Sequence, residues 1–182
     1  MWTLLSGFEQ LSKDEIDALV EAPALITILV GAADGDLDRE ERTWSERLLR
    51  SRTYNNPKKL NEFYRVVVEG FWVKVHSEMA HLPEDPETRN AQISARLELL
   101  NPILAKLDLQ LAADLYKGFR GLAEETAEAS GGFLRIGAIS AEEARWIKLP
   151  MLTPIVAPPK EKKKGEDDED NWEEDIPTVP MR

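Results

Sequence analysis

The stretch that decides the fold is "GAADGDLDREER", residues 31–42. It follows Leu25, Ile26, Ile28, Leu29 and Val30, a run whose one polar side chain is Thr27. A helix that is apolar all round belongs at the centre of a core. The character then changes within a few residues. Gly35 suits a left-handed residue that ends a helix. Asp38 and Glu41 have the spacing of a capping box, in which each side chain satisfies an orphan backbone donor. The stretch therefore reads as helix, turn, helix, with the second helix running from Asp38 to about Thr53 and turning Trp44, Leu48 and Leu49 inward.

The same grammar extends in both directions. Ser12 and Glu15 make a capping box that opens the first helix, and Pro23 either kinks that helix or sits in the first turn of a new one. Asn56-Pro57 reads as the cap and first turn of a further helix, which carries Leu60, Phe63, Tyr64, Val67, Phe71 and Val75 at helical spacing as far as Leu82-Pro83. Asp85-Pro86 caps the next, with Ile93, Leu97, Leu100, Leu104 and Leu107 on one face. Asn101-Pro102 is expected to kink or divide it. A long helix follows over roughly 109–129, burying Leu111, Ala112, Leu115, Tyr116, Phe119 and Leu122. A short one starts after Ser140 and stops at Pro150. Strand alternation and hairpin dipeptides are nearly absent. The expectation is an all-α helical bundle of about six or seven helices over residues 1–150.

Beyond Pro150 the composition changes to proline and charge: "PMLTPIVAPPKEKKKGEDDEDNWEEDIPTVPMR". Lys160 and Lys162–Lys164 form a basic cluster, and Glu166–Asp170 an acidic run. Such a segment buries too little apolar surface to offset its ordering entropy. Residues 151–182 are thus expected to be a mostly disordered tail, with Leu152, Ile155 and Val156 still able to pack on the body. Within it Trp172, followed by Ile176, is an aromatic anchor set among acids, a common form for a segment that orders on binding. It suits a protein partner with a basic surface.

Charge bounds the function classes. The 182 residues carry a formal net charge of -11, of which -7 belongs to the body before residue 151. A chain this acidic is expected to repel nucleic acid and anionic membranes. No cysteine is present, so disulfides, thiolate zinc sites and thiol nucleophiles are excluded. The start, "MWTLLSGFEQLSKDE", is a poor signal peptide. The longest apolar run, Ala22 to Ala33, is about half of a bilayer span. A cytoplasmic protein without a transmembrane segment is expected.

The opening motif has an echo. Gly35, Leu37, Asp38, Glu40, Glu41 and Trp44 are matched, at a constant offset of 102, by Gly137, Ile139, Ser140, Glu142, Glu143 and Trp146. Both copies hold a capping box and a tryptophan, so the bundle is expected to contain two weakly repeated helix-turn-helix units. On these residues, "AADGDLDREE" above all, the chain resembles the TerB-like family, named for the tellurite-resistance protein. The second stretch, "ASGGFLRIGAISAEE", fits in part: Ser130-Gly131-Gly132 lacks the aspartate, and Phe133–Ile136 precede the glycine. The resemblance covers roughly residues 10–150. It implies an all-helical fold, a role in stress response, and divalent-metal binding by acids of the two segments, which here match Asp34, Asp38 and Glu41. The second segment offers Glu142 and Glu143, with Ser140 in place of an acid.

Read from the residues alone, Asp34, Asp36, Asp38 and Glu41 are hard oxygen ligands that suit calcium, magnesium or manganese. An EF-hand is excluded, because the glycine is second rather than sixth and position twelve is Ser45. The competing reading makes Asp38 a cap, Glu41 its partner, and the acids complements of a helix N-terminus. His76 and His81, the only histidines, fall about 140° apart on a helix, which is poor ligand geometry. No phosphate loop, nucleophile elbow or His-Glu-x-x-His motif occurs. The chain is expected not to be an enzyme; the enzymatic alternative would use Glu40, Glu41, Glu124 and Glu125. The leading expectation is a stress-associated or scaffold protein with a possible cation at the 34–41 turn. The alternative is an interaction module that recruits its partner through Trp172.

Overall fold

Ser12 opens the first helix, α1 (Lys13–Gly31), through the capping box that its spacing predicts. Its hydroxyl accepts from the Glu15 amide at 3.3 Å, and the Glu15 carboxylate accepts from the Ser12 amide at 2.9 Å. The computed structural model describes residues 5–32, 46–130 and 145–157. From Ala22 to Ala32 every residue is buried, so α1 is the axle of the core. Pro23 lies inside α1 without dividing it. A proline there removes an amide donor and crowds the carbonyl one turn back. Packing on all sides of the axle outweighs that cost. The buried Thr27 hydroxyl is satisfied by donating to the Pro23 carbonyl at 2.9 Å.

Around α1 stand a helical stretch at 46–51, then α2 (Lys58–Val68), α3 (Phe71–His81), α4 (Pro86–Glu98), α5 (Leu100–Leu104) and α6 (Leu109–Ser130). The described residues contain no strand, and the fold is an all-α bundle. The broadest packing on α1 comes from α6 and α3. α4 runs antiparallel to α1: Arg89, in its first turn, reaches the Ala32 carbonyl, and Arg96, two turns on, reaches Glu21. Arg96 also grips Glu78 of α3, so one guanidinium ties three helices. α6 starts where α1 starts, with Lys106 just before it paired to Glu15. Among the described residues no helix is long and apolar enough to cross a membrane.

Three local expectations change in the structure. The apolar spacing from Leu60 to Val75 predicts one helix, yet it breaks into α2 and α3 at Gly70. Three consecutive valines, stiff at χ1, precede a glycine that destabilises helix interior by about 1 kcal/mol, so this is the weakest point of the run. Asn56 does not cap α2. Pro57 occupies that position, while the Asn56 side chain donates to the Arg52 carbonyl at 2.9 Å and closes the preceding helical stretch. Pro102 divides rather than kinks, ending α4 at Glu98 and giving the short α5.

The Asp85 cap of α4 forms as read, accepting from the Thr88 amide and hydroxyl, which holds its carboxyl below the usual aspartate value. After α6 the chain returns to the core at Leu149 and Leu152. Leu149 has a φ of 44°, a left-handed conformation that costs a side-chain-bearing residue about 1–2 kcal/mol. Its complete burial, worth about 1.5–3 kcal/mol for a leucine, offsets that. Asn101 clamps the same segment, donating to the Met151 carbonyl at 2.9 Å and accepting from the Thr153 amide at 2.8 Å. Ile155 packs against the core, whereas Val156 is 80% exposed.

Candidate functional site

Two glycines lie in the middle of α6, where each weakens the helix by about 1 kcal/mol relative to alanine. The structure shows what occupies their places. A Cβ on Gly118 would stand 2.3 Å from the Tyr64 hydroxyl, and one on Gly121 would stand 3.2 Å from Nη2 of Arg52. Both residues therefore come up against the bare backbone of α6. Nη1 of Arg52 donates to the Gly118 carbonyl at 2.7 Å and to the Tyr64 hydroxyl at 3.3 Å. Nη2 donates to Glu125 at 2.9 Å. The guanidinium also lies over the Tyr64 ring, 5.6 Å from its centroid. The Arg52 side chain is only 12% exposed, while its partner Glu125 keeps 39%.

Arg52, Gly118, Gly121 and Glu125 line a cleft of about 400 Å³ that Ser51, Asn55, Asn56, Asp114 and Lys117 complete, with Tyr64 buried behind them. Two neighbouring hollows share its lining residues along α6. Towards the start of α2 the cleft meets a hollow of about 560 Å³ between Lys58, Lys59, Asp108 and Gln110. On the other side a groove of about 660 Å³ runs beneath residues 155–157, with Tyr116, Arg120 and Glu124 in its wall. Asp114 borders all three. Together they form a trough along α6 from Gln110 to Glu125.

The trough is electrostatically distinct from an acidic protein. Its walls hold Arg52, Lys58, Lys59, Lys117 and Arg120 against Asp108, Asp114, Glu124 and Glu125. Two of the pairs are closed: Arg52 with Glu125, and Arg120 with Glu124 at 2.9 Å. Lys117 is exposed and makes no ion pair among the described residues. Burial pushes the Tyr64 hydroxyl above the ordinary tyrosine range, against the pull of the Arg52 guanidinium. Tyr64 is therefore neutral at physiological pH and acts as a fixed dipole. The chemistry on offer is recognition by oriented donors and charges.

The residues read from sequence fall in different places. Asp34, Asp36, Asp38 and Glu41 lie outside the described residues, as do Glu40, Trp44, Trp172 and Ile176. The repeat motif is described only at Arg145 and Trp146, whose side chains stack at 4.9 Å. What is described is the end of α1 from which the acidic stretch departs. The last turn of α1 carries no basic residue. Its Ala32 carbonyl is instead held by Nη2 of the buried Arg89, whose Nε has no partner among the described residues. Glu124 and Glu125 do not act as a pair, because each is engaged by a different arginine. His76 and His81 are exposed, and each ring Nδ1 faces the carbonyl one turn back, at 2.7 Å and 2.6 Å. Among the described residues no group of three His, Asp or Glu side chains gathers in metal-holding geometry.

Arg52, Tyr64 and Lys117 escaped the sequence reading. One signal pointed to them: "GFRG" at 118–121 places two glycines a turn apart inside a strongly periodic helix, where close approach of another group is the usual reason. Comparison of the chain with family models, curated proteins and solved structures finds no match.

Proposed function

We propose that this chain is a non-enzymatic, stress-associated scaffold of TerB-like type that works by binding a protein partner. The observation that supports this most is the trough along α6. It is an extended, open surface on a rigid helix, walled by mixed charge and floored by Gly118 and Gly121. Arg52 and Glu125 hold one another across helices, and Arg120 and Glu124 along α6, which shapes a surface for contact. The tail supplies the second element, with Trp172 and Ile176 as anchors for a partner of basic surface. Affinity capture with the full chain against its Trp172→Ala, Ile176→Ala form is the test. Loss of the captured partner is expected, and recovery of the same partners by both forms removes the tail from the mechanism.

A second reading concerns Asp34, Asp36, Asp38 and Glu41 as holders of calcium, magnesium or manganese. One described feature favours it. The negative end of α1 has no basic residue in its last turn, and five carboxylates follow within ten residues, the four named and Glu40. Arg89 offsets part of that charge, and a divalent cation would neutralise more. A cation at 100 times its Kd stabilises the folded chain by about 2.7 kcal/mol, or roughly 5–10 °C in Tm for a chain of this size. Thermal melts with each metal check this. An unchanged Tm at millimolar metal, or a rise that survives Asp34→Ala with Asp38→Ala, rules the site out.

A further inference from the structure

We infer that the acidic segment around Trp172 docks onto the α6 trough of its own chain, so that the surface and the tail anchor compete with any outside partner. Three observations lead there. First, the last described residues, Ile155 to Ala157, already lie along the trough and form one of its walls. The described chain thus ends at the groove, with Val156 largely exposed.

Second, the reach matches. Trp172 is fifteen residues beyond Ala157. A tether of that length spans at least about 21 Å, roughly 5–6 Å times the square root of the residue number for a glycine-rich chain and more for one with prolines and charges. The trough follows α6 from Gln110 to Glu125, about 22 Å at 1.5 Å per residue. A tether of that span lets the segment reach any part of a surface of that length, at an effective concentration on the order of millimolar for a short linker. A segment of only about millimolar intrinsic affinity is then docked about half of the time.

Third, the charges complement each other. In a chain of net charge -11, the trough places five cations against four acids, and Lys117 and Lys58 stand at its rim, Lys58 with only a 3.9 Å contact to Glu62. The segment 166–175 carries eight acids around Trp172. The body before residue 151, at a net charge of -7, repels such a segment overall, while the trough offers it the exposed Lys117 and Lys58. The indole has an apolar bed in Ala113, Gly121 and Ile155.

The inference rests on the trough being the interaction face, and its test is independent of any outside partner. The absence of cysteine permits a single nitroxide at Asn171→Cys in the full chain. Paramagnetic broadening is expected at the amides of Lys117, Gly118 and Gly121 and not on the far side of α1. Lys117→Glu removes one attraction and adds one repulsion, so it is expected to lower the docked population by roughly two- to fivefold, as high salt also does. Broadening spread evenly over the body, or absent, overturns the inference. So does broadening unchanged by Lys117→Glu together with Lys58→Glu. Broadening that appears only when labelled and isotope-enriched chains are mixed also overturns it, in favour of a second copy. Failed capture of an outside partner with the broadening intact leaves the docking standing and removes the partner reading alone.

Discussion

Gly118→Ala sets helix propensity against packing, and the structure decides the sign. Alanine in mid-helix is favoured over glycine by about 0.8–1.0 kcal/mol. Here the new Cβ would lie 2.3 Å from the Tyr64 hydroxyl, more than 1 Å inside ordinary contact. Tyr64 is 1% exposed and packs edge-on to Phe63 at 5.3 Å, so the ring has nowhere to swing. Overpacking of this kind costs about 1–3 kcal/mol, and its large overlap places it in the upper part of that range. The expected net loss is about 1–2 kcal/mol, a fall of roughly 2–8 °C in Tm. Tyr64→Phe alone should cost about 1 kcal/mol for the lost hydrogen bond, since Arg52 keeps Gly118 and Glu125. In that background the next atoms to a Cβ at 118 lie at 3.5 Å, which is ordinary contact. Gly118→Ala then becomes stabilising by up to about 1 kcal/mol. Urea unfolding of the four proteins gives the coupling energy, expected at about 2–3 kcal/mol. If the two substitutions add to within about 0.5 kcal/mol, or if Gly118→Ala stabilises the parent chain, the packing argument is wrong.

Other consequences are as accessible. The Arg96 guanidinium beside Glu78 holds that carboxyl below the usual glutamate value of 4.5, so the pair's stabilisation is complete above that pH and lost as pH falls below it. Melts from neutral to acid pH should therefore show a steep acid limb that Arg96→Met flattens; a parallel drop at all pH values would mean that Arg96 acts by packing alone. Ser12→Ala removes the α1 cap and should cost about 1 kcal/mol in urea unfolding, and an unchanged midpoint would mean that Lys106 and Glu15 hold that end by themselves. Asn101→Ala deletes both bonds to the 151–153 segment. Faster hydrogen exchange at the Leu152 and Thr153 amides is expected, with the amides of α2 unaffected.

What could be read ahead of the structure was local. Ser12 with Glu15 and Asp85 with Thr88 act over three residues, so their spacing contains the whole interaction. The apolar run of α1 needed no partner to be named, because a helix with no polar face has only one place to go. The break at Gly70 was less legible: the period of Leu60 to Val75 is continuous, and only the valine run and the glycine hint at a weak point.

The candidate site divides the same way. Its glycines and its charges are visible in the one-dimensional string, but their meeting is not. Arg52 reads as one of several cations at a helix end until it is seen 66 residues away in sequence from the carbonyl that it grips and 73 from its carboxylate. Glu124 and Glu125 look like a pair by adjacency, and the tertiary structure separates them, because neighbours on a helix point about 100° apart and meet different arginines. The sequence by itself determined the all-helical class, the caps at Ser12 and Asp85, the buried axle and the acidic excess, since each is set by contacts within a turn or two or by composition. Only the tertiary structure decided that Tyr64 and Arg52 come to rest on the bare backbone of α6 and open a trough there. That depends on how three helices cross, and no short-range rule encodes a crossing.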